Sequence, residues 1–133
     1  MATSSGNHAQ GVSRAAKELG IAAIIVMPTD APVVKVAGVK NDGAEIVFYD
    51  RLTESREEIA DEIARRDGHI YVPSYDDPYI ISGQGTVGLE IAKSDIEFDA
   101  LITCMGGGGL CACLLYTSPS PRDQRGSRMP SSA

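Results

Sequence analysis

Ser4, Ser5, Gly6, Asn7 and His8 stand together directly ahead of a helical pattern. Serine and asparagine suit a helix start, where the first backbone N–H groups have no partner inside the helix. Those donors, with the positive end of the helix dipole, also make a seat for an anion. An ordinary N-cap and an anion-binding turn are both open at this point. A second candidate is the run Gly106, Gly107, Gly108 and Gly109, which follows the apolar residues 100–105. A glycine run after a strand lets backbone N–H groups converge on an anion without side-chain obstruction. A flexible loop is the alternative. No Gly-Lys-Ser/Thr is present, so a nucleotide P-loop is not supported, and the spacing is not the GxGxxG of a dinucleotide site.

The elements that must position these residues alternate between strand and helix. In residues 7–19, Ala9, Val12, Ala15, Ala16 and Leu19 recur at helical steps, and Gly20 stands where a left-handed terminator belongs. Residues 21–27 form a continuous apolar run, as in a strand buried on both faces. Asp30 can cap a second helix, with Pro32 in its first turn and Val33, Val36, Ala37 and Lys40 on one face. Gly43 ends it, and residues 45–49 read as the next strand. Thr53 or Ser55 caps a third helix, and Ser55 with Glu58 has the capping-box spacing. Its buried stripe is Ile59, Ala60, Ile63 and Ala64. Asp61 with Arg65 and Glu62 with Arg66 are spaced to pair on a solvated face. Gly68 stops this helix, and residues 69–73, with His69 as a packed or edge residue, read as a further strand.

The rhythm changes after Pro73. Asp76 or Asp77 can cap a helix with Pro78 in its first turn. Three glycines in residues 83–88 imply either a close approach or a helix break before residues 89–92 resume the helix. Residues 100–105 read as a buried strand that places Cys104 in a core. The expected fold class is α/β: a three-layer parallel sheet with helices on both faces and right-handed crossovers.

Residues 4–11 (Ser-Ser-Gly-Asn-His-Ala-Gln-Gly), Asp76-Asp77-Pro78 leading to Gly83-Gln84-Gly85-Thr86, and Gly106-Gly107-Gly108-Gly109-Leu110 occur in that order. Together they resemble the threonine/serine dehydratase and serine racemase family, enzymes of fold type II that use pyridoxal phosphate. The resemblance covers residues 1–112 and corresponds to the middle third of a family member, so the chain is expected to be a fragment.

The resemblance implies a division into small-domain units over residues 1–73 and the start of a large cofactor domain over 74–112. It implies that Asn7 bonds the 3′-oxygen of the cofactor ring, and that Gly106, Gly107, Gly108, Gly109 and Leu110 hold its phosphate. Ser4, Ser5, Gly6, Asn7 and His8 form the substrate loop, with His8 structural within it. Ser5 is an acid/base only if the protein racemises. The implied reaction is β-elimination of a hydroxy amino acid to a 2-oxo acid and ammonia. The cofactor-bearing lysine lies upstream of the serine loop in that family. Lys17, Lys35, Lys40 and Lys93 match no such motif, so the 133-residue chain is expected to be inactive. Serine racemase and hydroxyaspartate ammonia-lyase are alternatives within the family. A non-catalytic α/β module binding a phosphorylated metabolite is an alternative outside it. The full-length protein is expected to be a homo-oligomer acting on a small hydroxy amino acid.

A net charge of −6 argues against nucleic acid and anionic membranes as partners. No apolar run is long enough to span a bilayer, and no secretory pattern opens the chain. Three cysteines, Cys104, Cys111 and Cys113, lack CxxC spacing, so neither a disulfide framework nor a metal site is expected, and a cytoplasmic location fits. Residues 113–133 lack periodicity and are rich in Ser, Pro and Arg. They are expected to be a disordered, non-native tail.

Overall fold

The computed structural model of the chain describes residues 1–94, 96 and 98–117. The described residues form two compact units, the first Met1–Ser74 and the second beginning at Tyr75. The first unit contains β1 (Ala2–Thr3), α1 (Asn7–Leu19), β2 (Ile24–Pro28), α2 (Val33–Asn41), β3 (Glu45–Tyr49) and α3 (Arg56–Asp67). The second contains α4 (Pro78–Lys93) and α5 (Gly109–Thr117).

In the first unit the three strands are parallel in the order β1-β2-β3. Ala2 lies opposite Ile25, and Ile24 through Pro28 lie opposite Glu45 through Tyr49. β2 is central and entirely buried. Because strand side chains alternate between faces, Ile25 and Met27 enter a core with Ala9 and Val39 of α1 and α2. Ile24 and Val26 enter a second core with Met1, Tyr49 and Ala60 and Ile63 of α3. Helices therefore cover both faces of the sheet, as the α/β reading expects.

α1 ends as its sequence requires. Gly20, at φ 66°, donates to the Lys17 carbonyl at 3.2 Å, and Ile21 N–H donates to that of Ala16 at 2.9 Å. This is the paired Schellman arrangement, and it needs a left-handed residue at Gly20. The chain is then still turning, so β2 begins at Ile24 rather than residue 21, and Ile21 is exposed.

α2 departs from the expected phase. Pro32, not Asp30, occupies its N-cap, without a side-chain cap. Asp30 instead accepts from Arg51 at 2.8 Å. Val36 and Val39 pack on the sheet, and Val33 is 82% exposed. α3 follows its sequence closely: Ser55 Oγ accepts from Glu58 N–H at 3.3 Å, and Ala60 and Ile63 are buried. Its charges pair otherwise than expected. Arg65 donates to the Asp61 backbone carbonyl at 3.1 Å, and Arg66 pairs with Asp67 at 2.8 Å.

Residues 69–73 are not a regular strand, yet they border β1 in a parallel pattern. The Met1 amino group donates to the Ile70 carbonyl at 2.6 Å, and Val72 N–H donates to that of Met1 at 2.8 Å. The Thr3 and Tyr71 hydroxyls lie 2.8 Å apart. Burial pushes the Met1 amino group below its usual range.

In the second unit Asp77 caps α4, its Oδ1 accepting from Tyr79 and Ile80 N–H at 2.9 and 3.1 Å, with Pro78 first in the helix. α4 runs unbroken through its glycines, and Gly85 and Gly88 are its buried residues. α5 packs on α4 and carries buried Cys113 and Leu114, so residues 113–117 are helical rather than disordered. The rest of the expected tail, 118–133, lies outside the described residues. Residues 100–105 form no strand: Ile102 is 94% exposed and Cys104 is exposed. A strand exists by pairing, and no strand of this unit is among the described residues to pair with it. No described helix is long and apolar enough to cross a membrane.

Candidate functional site

The first candidate site lies at the carboxyl end of β1. The sheet grows outward from β1 through β2 to β3, with α1 and α2 on one face. α3, on the other face, then returns the chain to residues 69–73 on the far side of β1. The order reverses at β1, and in open α/β sheets the crevice beyond the carboxyl ends at such a reversal is where ligands bind. Residues 4–8 occupy it.

Ser4 N–H is held by the Val26 carbonyl at 3.1 Å, so the turn starts from the sheet itself. Ser4 Oγ accepts from Gly6 N–H at 3.1 Å. Gly6, not a serine, is the N-cap, and no side chain caps α1. The first helical backbone bond is Gln10 N–H to the Gly6 carbonyl. The N–H groups of Asn7, His8 and Ala9 therefore have no acceptor among the described residues. His8 Nε2 donates to the Val72 carbonyl at 3.1 Å, bridging the reversal. Asn7 Oδ1 accepts from Lys35 Nζ, and Gln10 Oε1 accepts from the same ammonium at 3.1 Å.

Lys35 is the residue that sequence reasoning missed here. The expected face of residues 33, 36, 37 and 40 did not include it, and only the observed phase of α2 brings it to Asn7. The far ends of α1 and α2 are also joined: buried Asp42 accepts from Arg14 at 3.0 Å and Lys17 at 3.4 Å. Burial raises the Asp42 carboxyl, but the bonds and charges of Arg14 and Lys17 outweigh it and hold the group below its usual range.

The second candidate site lies within the second unit. Tyr75, Asp76, Ile81, Gly107, Gly108, Gly109, Ala112 and Cys113 line a pocket of about 600 Å³. A Cβ on Gly107 would stand 2.9 Å from Tyr75 Cε1, and one on Gly109 would stand 2.9 Å from Tyr75 Cβ. The tyrosine therefore lies where only glycine leaves room. Gly108 has φ 85° and its carbonyl accepts the Ala112 N–H of α5 at 2.9 Å. Cβ atoms on Gly106 and Gly108 would meet nothing within 4 Å. Leu110 lies in the first turn of α5.

Both sites fit parts of a phosphorylated pyridine cofactor. Open backbone at a helix start suits an anion, and a carboxamide beside free N–H groups suits a ring oxygen and a carboxylate.

A parallel sheet with helices on both faces makes this an α/β fold, and the structures that it matches are pyridoxal-phosphate enzymes of fold type II. The profile of the pyridoxal-phosphate dependent enzymes matches residues 1–116, and the chain belongs to that family. It is 46% identical over 128 residues to an L-threo-3-hydroxyaspartate ammonia-lyase of a Pseudomonas species, covering 87% of this chain and 40% of that protein. It is 45% identical over 113 residues to the catabolic L-threonine dehydratase TdcB of Escherichia coli, covering 84% and 34%. Its structure matches maize serine racemase with a TM-score of 0.81 at 40% identity, covering 88% of this chain and 36% of that one. The chain thus spans little more than a third of the length of these relatives.

Proposed function

We propose that this chain is part of a threonine/serine dehydratase that eliminates water from a hydroxy amino acid, giving a 2-oxo acid and ammonia. The observation that carries this reading is the turn 4–9, with three N–H groups unpaired among the described residues and an amide-bearing Asn7 at the sheet reversal. The relatives point the same way, since a threonine dehydratase and a hydroxyaspartate ammonia-lyase both eliminate from a β-hydroxy amino acid.

Pyridoxal phosphate, when bound, supplies the electron sink for the pair left by the departing α-proton. The chain's own residues bind and orient. The Ser4–His8 turn receives the substrate carboxylate on its N–H groups, favoured by the positive end of α1. Asn7 donates to the ring oxygen. The amides of Gly106, Gly107, Gly108 and Gly109, with Leu110 at the start of α5, receive the phosphate. Ser5 holds a proton only in a racemising relative of this enzyme, the reading that the maize structure keeps as an alternative.

The test is expression of the complete reading frame that contains this segment, supplied with pyridoxal phosphate. Release of 2-oxobutanoate from L-threonine or pyruvate from L-serine is the expected result. Preferential turnover of 3-hydroxyaspartate, or formation of D-serine, assigns the protein to one of the alternatives. Binding of the cofactor without turnover of any of these substrates refutes the dehydratase reading.

A further inference from the structure

We propose that Lys35 is a positioning residue that fixes the Asn7 carboxamide with its NH₂ group turned toward the ligand, a role that rests on the cofactor reading above. An asparagine side chain carries an acceptor and a donor related by a half-turn, and an exposed one has no reason to prefer either setting. Lys35 removes that freedom. An ammonium has only donors, so the atom of Asn7 that it meets must be the oxygen. Both hydrogens on Asn7 Nδ2 then remain free for an acceptor, and the ring oxygen of a pyridoxal compound is an acceptor.

Lys35 is itself held in place. Its second partner is Gln10 Oε1 at 3.1 Å, one turn along α1 from Asn7. Gln10 reaches it by lying against α2 at Gly38, where a Cβ would run into Gln10 Nε2 and stand 3.2 Å from Cδ. Among the described residues no carboxylate pairs with Lys35, whereas Lys17 at the other end of the same two helices meets Asp42. The helices are already tied there by Asp42. The partners of Lys35 are two carboxamide oxygens, and that leaves orientation of an amide as the distinctive effect of this contact.

The test uses the complete protein that contains this segment and pyridoxine 5′-phosphate, which keeps the ring oxygen and phosphate but cannot form an imine with any lysine. A 3-O-methyl counterpart serves as the comparison. Lys35→Met is expected to weaken pyridoxine 5′-phosphate about tenfold, the worth of one well-made hydrogen bond. It should leave the methyl ether unchanged and displace the Asn7 side-chain amide resonances. Lys35→Arg, also donor-only, should restore the preference. Gly38→Ala should displace the same resonances by pushing Gln10 aside, while alanine keeps the helix intact. Unmoved Asn7 resonances, or an unchanged preference between the two ligands in Lys35→Met, overturns the proposal. Should the native chain bind neither ligand, the cofactor reading is what fails. The Asn7 resonances then decide the positioning role alone, displaced supporting it and unmoved refuting it. If Lys35→Met does not fold, Gly38→Ala and Lys35→Arg read the same signals.

Discussion

His8 Nε2 meets the carbonyl oxygen of Val72 at 3.1 Å, across the point where the sheet reverses direction. A carbonyl only accepts, so the histidine carries its proton on Nε2 in this contact. The first turn of α1 is thereby tied to the segment bordering β1, over a sequence separation of 64 residues. His8→Ala removes the donor and leaves the Val72 carbonyl without it. A loss of about 1 kcal/mol is expected, read as a lower urea midpoint with unchanged slope. Nitrogen NMR of the native chain should show the Nε2-protonated tautomer.

Asp42 supplies a pH dependence whose sign is set by its partners. Its folded pKa lies below the unfolded value, because Arg14 and Lys17 outweigh the effect of burial. Its contribution is therefore present above the unfolded carboxylate pKa and is lost as pH falls through the folded one. Asp42→Asn should lower the urea midpoint at pH 7, and the difference between native and variant chains should shrink as pH falls through the folded pKa of Asp42.

The corrected phase of α2 can be tested with two valines. Val39 is fully buried against Ile25 and Met27, so Val39→Ala should cost on the order of 2 kcal/mol. Val33 lies in the same helix and is exposed, so Val33→Ala should change stability by less than about 0.5 kcal/mol. Thermal unfolding followed by circular dichroism separates the two. Equal effects would restore the face that includes Val33.

The glycine loop offers a contrast between crowding and backbone strain. Gly107→Ala brings a methyl group to 2.9 Å from the Tyr75 ring, and Tyr75→Ala removes the obstacle. The double variant should recover most of what Gly107→Ala loses. Gly108→Ala meets no atom within 4 Å but must hold φ 85°, at a cost of about 1–2 kcal/mol. Tyr75→Ala should not rescue it. Stability of the three single variants and the two double variants, in two double-mutant cycles that share Tyr75→Ala, measures the difference.

Residue chemistry alone determined much of this protein. The apolar period and terminal glycine of α1, the capping pair Ser55 and Glu58, and Asp77 with Pro78 at the start of α4 are local devices that work through neighbours in the chain. The ordered motifs likewise carried the family before any coordinate was known. Tertiary structure decided what depends on distant partners. Residues 69–73 and 100–105 have strand composition, but a strand needs an edge to pair with. The first segment finds a two-residue edge and the second finds none among the described residues. The turn of α2 about its axis was equally out of reach, because valines cover several of its faces and only packing on β2 selects Val36 and Val39. That same packing brings Lys35 to Asn7, a contact between residues 28 apart that neither segment announces by itself.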